Sequence, residues 1–251
     1  MSYLYHTLIA QPIINLMVML YNYFPIKDLG ITIILLTIFI RLILLPLSYK
    51  AARTQKELTK IQPELKEIQQ KYKDNREEQA KRLMELYKTH RINPLSGILP
   101  MIIQLIILIA LYRSFMTLIK GTENLALYSF VQNPGTVNSM FLGLVDLTKA
   151  SAPLAIGAGI LQFILSKMMM AKNKPAKKQA PNQGSMANFG SAMGTQMTYV
   201  LPALTILMGW SFPAGLPLYW MITTLFSIGE QYWIKRHPTK QNPQPTQNST
   251  S

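Results

Sequence analysis

Apolar residues in this chain come in long runs and not at the spacing of a soluble core. Residues 29–48 hold thirteen Leu, Ile and Phe between Ile31 and Leu47, and one charge, Arg41. Twenty residues of helix rise about 30 Å, roughly one hydrocarbon core. Similar runs occupy residues 98–118, 152–170, 196–212 and 216–234. The pattern predicts an all-α polytopic membrane protein with five spanning helices. The last two runs, within residues 195–234, are joined by Pro213-Ala214-Gly215, which leaves room only for a tight antiparallel hairpin.

Between the first two runs the pattern changes. Residues 49–97 are rich in Lys, Glu, Gln and Leu. Leu58, Ile61, Leu65, Ile68 and Tyr72 follow helical spacing, as do Leu83, Leu86 and Tyr87 after a break at Asp74-Asn75. This predicts a helical hairpin, with Pro63 kinking its first arm or restarting the helix. Residues 1–27 are apolar but carry Thr7, Gln11 and Asn15 at four-residue spacing, one narrow polar stripe. They lack the basic n-region of an ordinary signal peptide. An amphipathic helix on the outer surface is expected, with a sixth span as the competing reading. Residues 28–48 form the first span and residues 119–151 an outer loop. Residues 171–194 mix Lys, Pro, Gly, Asn and Gln and are expected to be flexible, and the tail 235–251 to be disordered.

Charge orients the helices. The net charge of +14 is unevenly spread. Twelve Lys and Arg fall between Tyr49 and Gly97, five at Lys167 and in residues 171–194, and three from Lys235 onward. The opposite side has only Lys27, Lys120 and Lys149. Twenty against three is a strong positive-inside signal, giving an N-out/C-in protein with both basic loops in the cytoplasm. Seven acidic residues offset the twelve basic ones of residues 49–97, which reads as a solvated helix and not as a stripe for sequence-specific nucleic acid.

The chemistry of an enzyme is missing. The sequence has no Cys, no phosphate-binding glycine loop and no His-Glu-x-x-His. Its histidines are His6, His90 and His237, none inside a predicted span. Neither a cofactor nor a metal is expected. Isolated polar residues of the spans, such as Gln104, Gln162, Thr198, Thr205 and Thr224, read first as bonds between helices. Arg113 reads as a side chain snorkelling to the outer interface.

Arg41 is different. A guanidinium near the bilayer centre costs roughly 2.5–3.5 kcal/mol on insertion scales, which the surrounding apolar residues outweigh. Glu230 falls close to the end of its span, so no carboxylate is expected at the depth of Arg41. The arginine then needs a hydrated cavity open to one side. Thr37 and Ser48 lie on a similar helix face.

Several motifs together resemble the YidC/Oxa/Alb membrane protein insertase family. They are Asn93-Pro94-Leu95-x-Gly97-x-x-Pro100-x-x-x-Gln104, Ile40-Arg41-Leu42 with Pro46-Leu47 following, Asp146-Leu147, and Phe212-Pro213-Ala214-Gly215-Leu216-x-Leu218-Tyr219-Trp220. The resemblance covers about residues 1–236 and implies the short five-span form in a bacterial plasma membrane. It implies a substrate groove lined by Arg41, Thr37, Gln104, Gln162 and Trp220. It also implies a capture hairpin bearing Lys56, Lys60, Lys66 and Lys71. The implied partners are nascent membrane proteins, the ribosome, the Sec translocon and membrane lipids. A small-solute or anion transporter using Arg41 is the alternative, and a membrane-anchored scaffold is a third reading. No internal repeat pairs the five runs as a transporter's would.

Overall fold

A computed structural model describes residues 2–90, 92–93, 95–121, 125–170 and 199–236. An N-terminal helix runs from Ser2–Tyr5 through a π-helical turn, His6–Ala10, into α1 (Gln11–Tyr23). α2 (Leu29–Lys60), α3 (Gln62–Lys71) and α4 (Arg76–Thr89) follow, then α5 (Leu95–Lys120). A short antiparallel ladder of β1 (Met140–Phe141) and β2 (Val145–Asp146) precedes α6 (Ala152–Met170), α7 (Tyr199–Ser211) and α8 (Gly215–Arg236). Among the described residues three helical segments are long and apolar enough to cross a membrane: Leu29–Gln55, Leu99–Lys120 and Ala152–Met169. α7 is a shorter apolar helix, and α8 carries Glu230, Lys235 and Arg236 in its last two turns. Residues 171–194, Thr198, Pro94 and the tail from residue 237 lie outside the described residues.

α2 begins where Asp28 supplies a cap. Its Oδ1 accepts from the amides of Gly30 and Ile31 at 2.7 and 3.0 Å, satisfying donors that have no partner in the first turn. The helix then continues past the apolar run through Lys60, so residues 49–60 prolong α2. The reason is local: no turn former lies between Ser48 and Lys60, and their Lys, Arg, Ala and Gln favour helix. The break comes at Ile61, ahead of Pro63, which sits in the first turn of α3 where its missing amide is tolerated. Asn75 caps α4 by accepting from the Glu78 amide at 3.1 Å. Gln79 Nε2 donates to the Gln69 carbonyl at 3.0 Å, tying α4 back onto α3.

Burial is concentrated at one end of the bundle. Leu29, Ile33 and Leu36 at the start of α2 pack with Leu111, Phe115 and Leu118 at the end of α5. Ala214, Leu218 and Tyr219 at the start of α8 join them, as do Met17 and Val18 of α1. Further along, Phe39, Leu42, Ile43 and Leu45 of α2 are exposed, as are Leu99, Met101, Ile102 and Leu105 of α5. The buried apolar core therefore gathers at one end of the bundle, and apolar side chains farther along are exposed. α6 and α7 approach each other closely. A Cβ on Gly209 would lie 2.9 Å from that of Ala155, and one on Gly159 would collide with Ile206. Small residues permit that contact where lipid provides no hydrophobic drive.

The loop between α5 and α6 covers the closed end. Asp28 Oδ2 accepts from the Leu142 amide at 2.6 Å, and the Phe141 ring lies against Gly30. Asn138 bonds in two directions, its amide donating to Tyr21 Oη at 2.8 Å and its carbonyl accepting from the Leu29 amide at 3.2 Å. The amides of Ala214 and Gly215 donate to the carbonyls of Lys149 and Leu147, at 2.8 and 3.3 Å, which seats the Pro213-Ala214-Gly215 turn.

Asp146 organises this seat. It accepts from the hydroxyl and amide of Thr148 at 2.7 and 3.0 Å and faces Lys149 Nζ at 3.3 Å. The Thr148 hydrogen bonds, with the lysine adding to them, hold its carboxyl below the usual carboxylate range. A depressed folded value means the contribution is full above the unfolded value of about 3.9 and is lost as pH falls through the folded one. Thermal unfolding in detergent from pH 7 to pH 3 is expected to show a smaller loss of Tm on acidification in Asp146→Asn than in the wild type.

The N-terminal helix departs from expectation. Asn15, on the polar stripe, does not face water: it is 2% exposed. Its Nδ2 donates to the Ala126 carbonyl at 3.1 Å and its Oδ1 accepts from the Tyr128 amide at 2.7 Å. The loop's backbone groups need partners once buried, and the side chain provides them. Leu4 and Leu8 are instead exposed. Leu8, Ile9, Pro12 and Ile13 share an apolar recess of about 300 Å³ with Ile43 and Leu44 of α2 and with Ile103 and Ile107 of α5. Ile43 lies fourteen residues past Leu29, about 21 Å along the helix. The N-terminal helix thus packs against both α2 and α5.

Candidate functional site

The site forms where close packing gives way. Ile33, Thr37 and Arg41 succeed one another at four-residue spacing, and Ser48 follows two turns on, so all four share one face of α2. Ile33 and Thr37 are buried, and the Thr37 hydroxyl donates to the Ile33 carbonyl at 2.6 Å. Thr37 is therefore floor, with its hydroxyl already satisfied, and not an open polar wall. Arg41 is the first polar side chain on this face to project beyond that floor.

Its partner corrects the expectation of an uncompensated charge. Arg41 Nη1 lies 3.9 Å from Glu230 Oε2, with the two side chains 13% and 12% exposed. The carboxylate reaches Arg41 because depth along the helix is not depth of the charged group. Both side chains are long, and α2 and α8 pack directly together. Ser48 Oγ donates to Glu230 Oε1 at 2.8 Å. Arg41 Nε is buried without a hydrogen-bond partner among the described residues.

α8 supplies most of the remaining polar groups. Tyr219, Thr223, Ser227 and Glu230 recur at intervals of four, four and three, one stripe down the helix. Gln104 Nε2 donates to Tyr219 Oη, joining α5 to α8. Thr224 Oγ1 donates to Gln162 Oε1 at 3.5 Å, joining α6 to α8. Gln104 and Gln162 are thus brought to the same helix as Glu230. Trp220 is half-buried and packs against the core. Tyr219, one residue earlier, takes the polar position. The period of the α8 stripe was the signal that could have identified Tyr219 and Glu230 from sequence.

The lysines of the expected hairpin separate. Lys60 closes α2 and pairs with Glu57 at 3.1 Å. Lys66 lies within α3, and Lys71 ends it, with Nζ 5.7 Å from the centre of the Tyr72 ring. Lys56 lies on α2, not on the hairpin, and its side chain is outside the described residues. Arg113 is exposed and lies 6.0 Å from the Tyr5 ring centre. Among the described residues no three His, Cys, Asp or Glu come together as a metal site.

A family model described as "60Kd inner membrane protein" matches residues 19–242. A membrane protein insertase YidC of Pelobacter propionicus is 31% identical over 230 residues, covering 92% of this chain and 39% of that protein. One from Syntrophobacter fumaroxidans is 32% identical over 240 residues, covering 94% and 39%. The membrane protein insertase MisCA of Bacillus subtilis is 33% identical over 221 residues, covering 86% of this chain and 74% of MisCA. The chain therefore spans about 39% of the length of these two YidC relatives and most of the length of MisCA.

Proposed function

Because this chain belongs to the family of the 60Kd inner membrane protein, we propose that it is a membrane protein insertase without enzymatic activity. It moves short hydrophilic segments of nascent membrane proteins through a polar groove and releases the adjoining apolar spans into lipid. The observation that carries this reading is the asymmetry of packing. The end formed by Leu29, Phe115 and Ala214 is closed and tied down by Asn15 and Asp28, whereas the polar stripe of Arg41, Tyr219 and Glu230 runs beyond it, where apolar side chains of α2 and α5 are exposed.

On this reading the chain has five spans, N-out and C-in, in the bacterial plasma membrane, and the excess of basic residues supports a cytoplasmic open end. Water entering from that side reaches Arg41 about halfway through. It satisfies groups such as Arg41 Nε that find no protein partner. A substrate's polar stretch then crosses only the remaining half thickness, avoiding several kcal/mol per unsatisfied backbone group. Arg41 attracts acidic side chains or carbonyls of that stretch. Burial of the substrate's apolar span, helped by the membrane potential for acidic segments, drives the step without ATP. The α3–α4 hairpin and the Lys60 end of α2 face the ribosome, and the Sec translocon takes part for some substrates.

An anion transporter at Arg41 needs a path through the closed end. The core packing and the Asn15, Asp28 and Tyr21 hydrogen bonds weigh against one. Photo-crosslinking residues placed singly at Gln104, Gln162 and Thr32 distinguish the readings when stalled nascent chains are presented. Crosslinks are expected at Gln104 and Gln162 and not at buried Thr32. Nascent chains that crosslink at none of the three sink the insertase reading.

A further inference from the structure

We infer that Glu230 is a built-in competitor for Arg41, a carboxylate that holds the place of an acidic substrate group and sets the charge preference of the groove. The inference rests on the groove reading above and adds to it a residue that determines specificity.

The geometry is that of a partner made to yield. A charge-assisted N–H···O hydrogen bond is about 2.7–2.9 Å. At 3.9 Å the Arg41–Glu230 contact is a looser ion pair. One reason is that the other carboxylate oxygen is held by Ser48 at 2.8 Å. The Ser48 hydroxyl has a single proton and a second acceptor within reach, the Leu44 carbonyl at 2.9 Å. The charged acceptor is the stronger of the two, so the serine tethers Glu230. Arg41 keeps donors to spare, its Nε having no partner.

Depth completes the picture. α2 and α8 both begin at the closed end. One oxygen of the Glu230 carboxylate faces Arg41, and the other is held by Ser48, which lies seven residues, about 10 Å, farther from the closed end along α2. The carboxylate therefore sits between the arginine and the open mouth. An acidic group entering from that mouth passes Glu230 before it reaches Arg41. It must exchange with Glu230, which falls back on Ser48. A neutral segment has nothing to exchange.

The test uses the full-length chain in vesicles of phosphatidylethanolamine and phosphatidylglycerol. The probes are two single-span proteins that differ only in an N-terminal tail carrying no charge or two Asp. The readout is the ratio of translocated acidic tail to translocated neutral tail. Glu230→Gln is expected to raise this ratio about two- to fivefold over wild type, the range of one weak ion pair. Ser48→Ala, which frees the carboxylate to settle on Arg41, is expected to lower it. A ratio that is unchanged or reduced in Glu230→Gln overturns the inference. If Glu230→Gln does not accumulate, Ser48→Ala decides: a lowered ratio supports the inference and an unchanged one overturns it. Arg41→Ala in the same vesicles separates the two levels. If it leaves the wild-type ratio intact, attraction at Arg41 is itself wrong. If it abolishes the preference while Glu230→Gln changes nothing, only the competitor role fails.

Discussion

Arg41→Glu lowers insertion of a substrate with an acidic tail by roughly thirtyfold, the largest functional loss expected from a single change in this chain. At an effective dielectric constant of about 20, unit charges about 4 Å apart interact by about 4 kcal/mol. Stripping water from both groups offsets part of that, leaving about 2 kcal/mol, or roughly thirtyfold in rate. The reversal also sets a second carboxylate beside Glu230, so insertion is normalised to the amount of folded variant in the membrane. Arg41→Ala is expected to lose less than the reversal, because it removes attraction without adding repulsion. Arg41→Lys keeps the charge and lacks the planar fork, so retention of activity identifies charge as the operative property. Equal insertion by Arg41→Glu and wild type rules out the attraction model.

Asp28→Ala is the substitution expected to cost most in stability. The buried carboxylate serves three backbone donors: Gly30 and Ile31 at the start of α2, and Leu142 in the covering loop. Removing it strands all three, one of them across the joint between helix and loop. Unsatisfied buried donors cost about 1–3 kcal/mol each, and partial rehydration of the first turn lowers the sum to about 3 kcal/mol. For a chain of this size that is roughly 6–12 °C in Tm. Asp28→Asn keeps one acceptor oxygen and is expected to lose about half as much. Thermal unfolding in detergent checks both. A shift below 1 °C in Asp28→Ala means the loop is held by other contacts.

What could be read from the sequence depended on whether the signal was local. The break ahead of Pro63, the start of α4 at Asn75 and the Pro213-Ala214-Gly215 turn all follow from chemistry within a few residues. Arg41 was visible because one charge stands alone in an apolar run. Glu230 falls near the end of its own helix in the sequence, which hides its reach to Arg41. The side chains of two packed helices span the difference. Tyr219 is marked by its place in the stripe with Thr223 and Ser227. Asn15 and Asp28 give no local hint of their second role. Their partners Tyr128 and Leu142 lie 113 and 114 residues away, and no periodicity encodes such a contact.

α2 runs for 32 residues without interruption, from the closed end to Lys60. That is about 48 Å of rod, longer than the bilayer core is thick. Its only weak points are Pro46, where one rung of the backbone ladder is missing, and the joint at Ile61. On the insertase reading, a nascent chain that tugs on the hairpin would pull on the free end of a lever whose fulcrum is the packed core. Arg41 lies on the core side of Pro46 and Glu230 on another helix, so on that reading a tilt of the lever would pry the two charges apart and turn load on the α3–α4 arm into an unmasked cation.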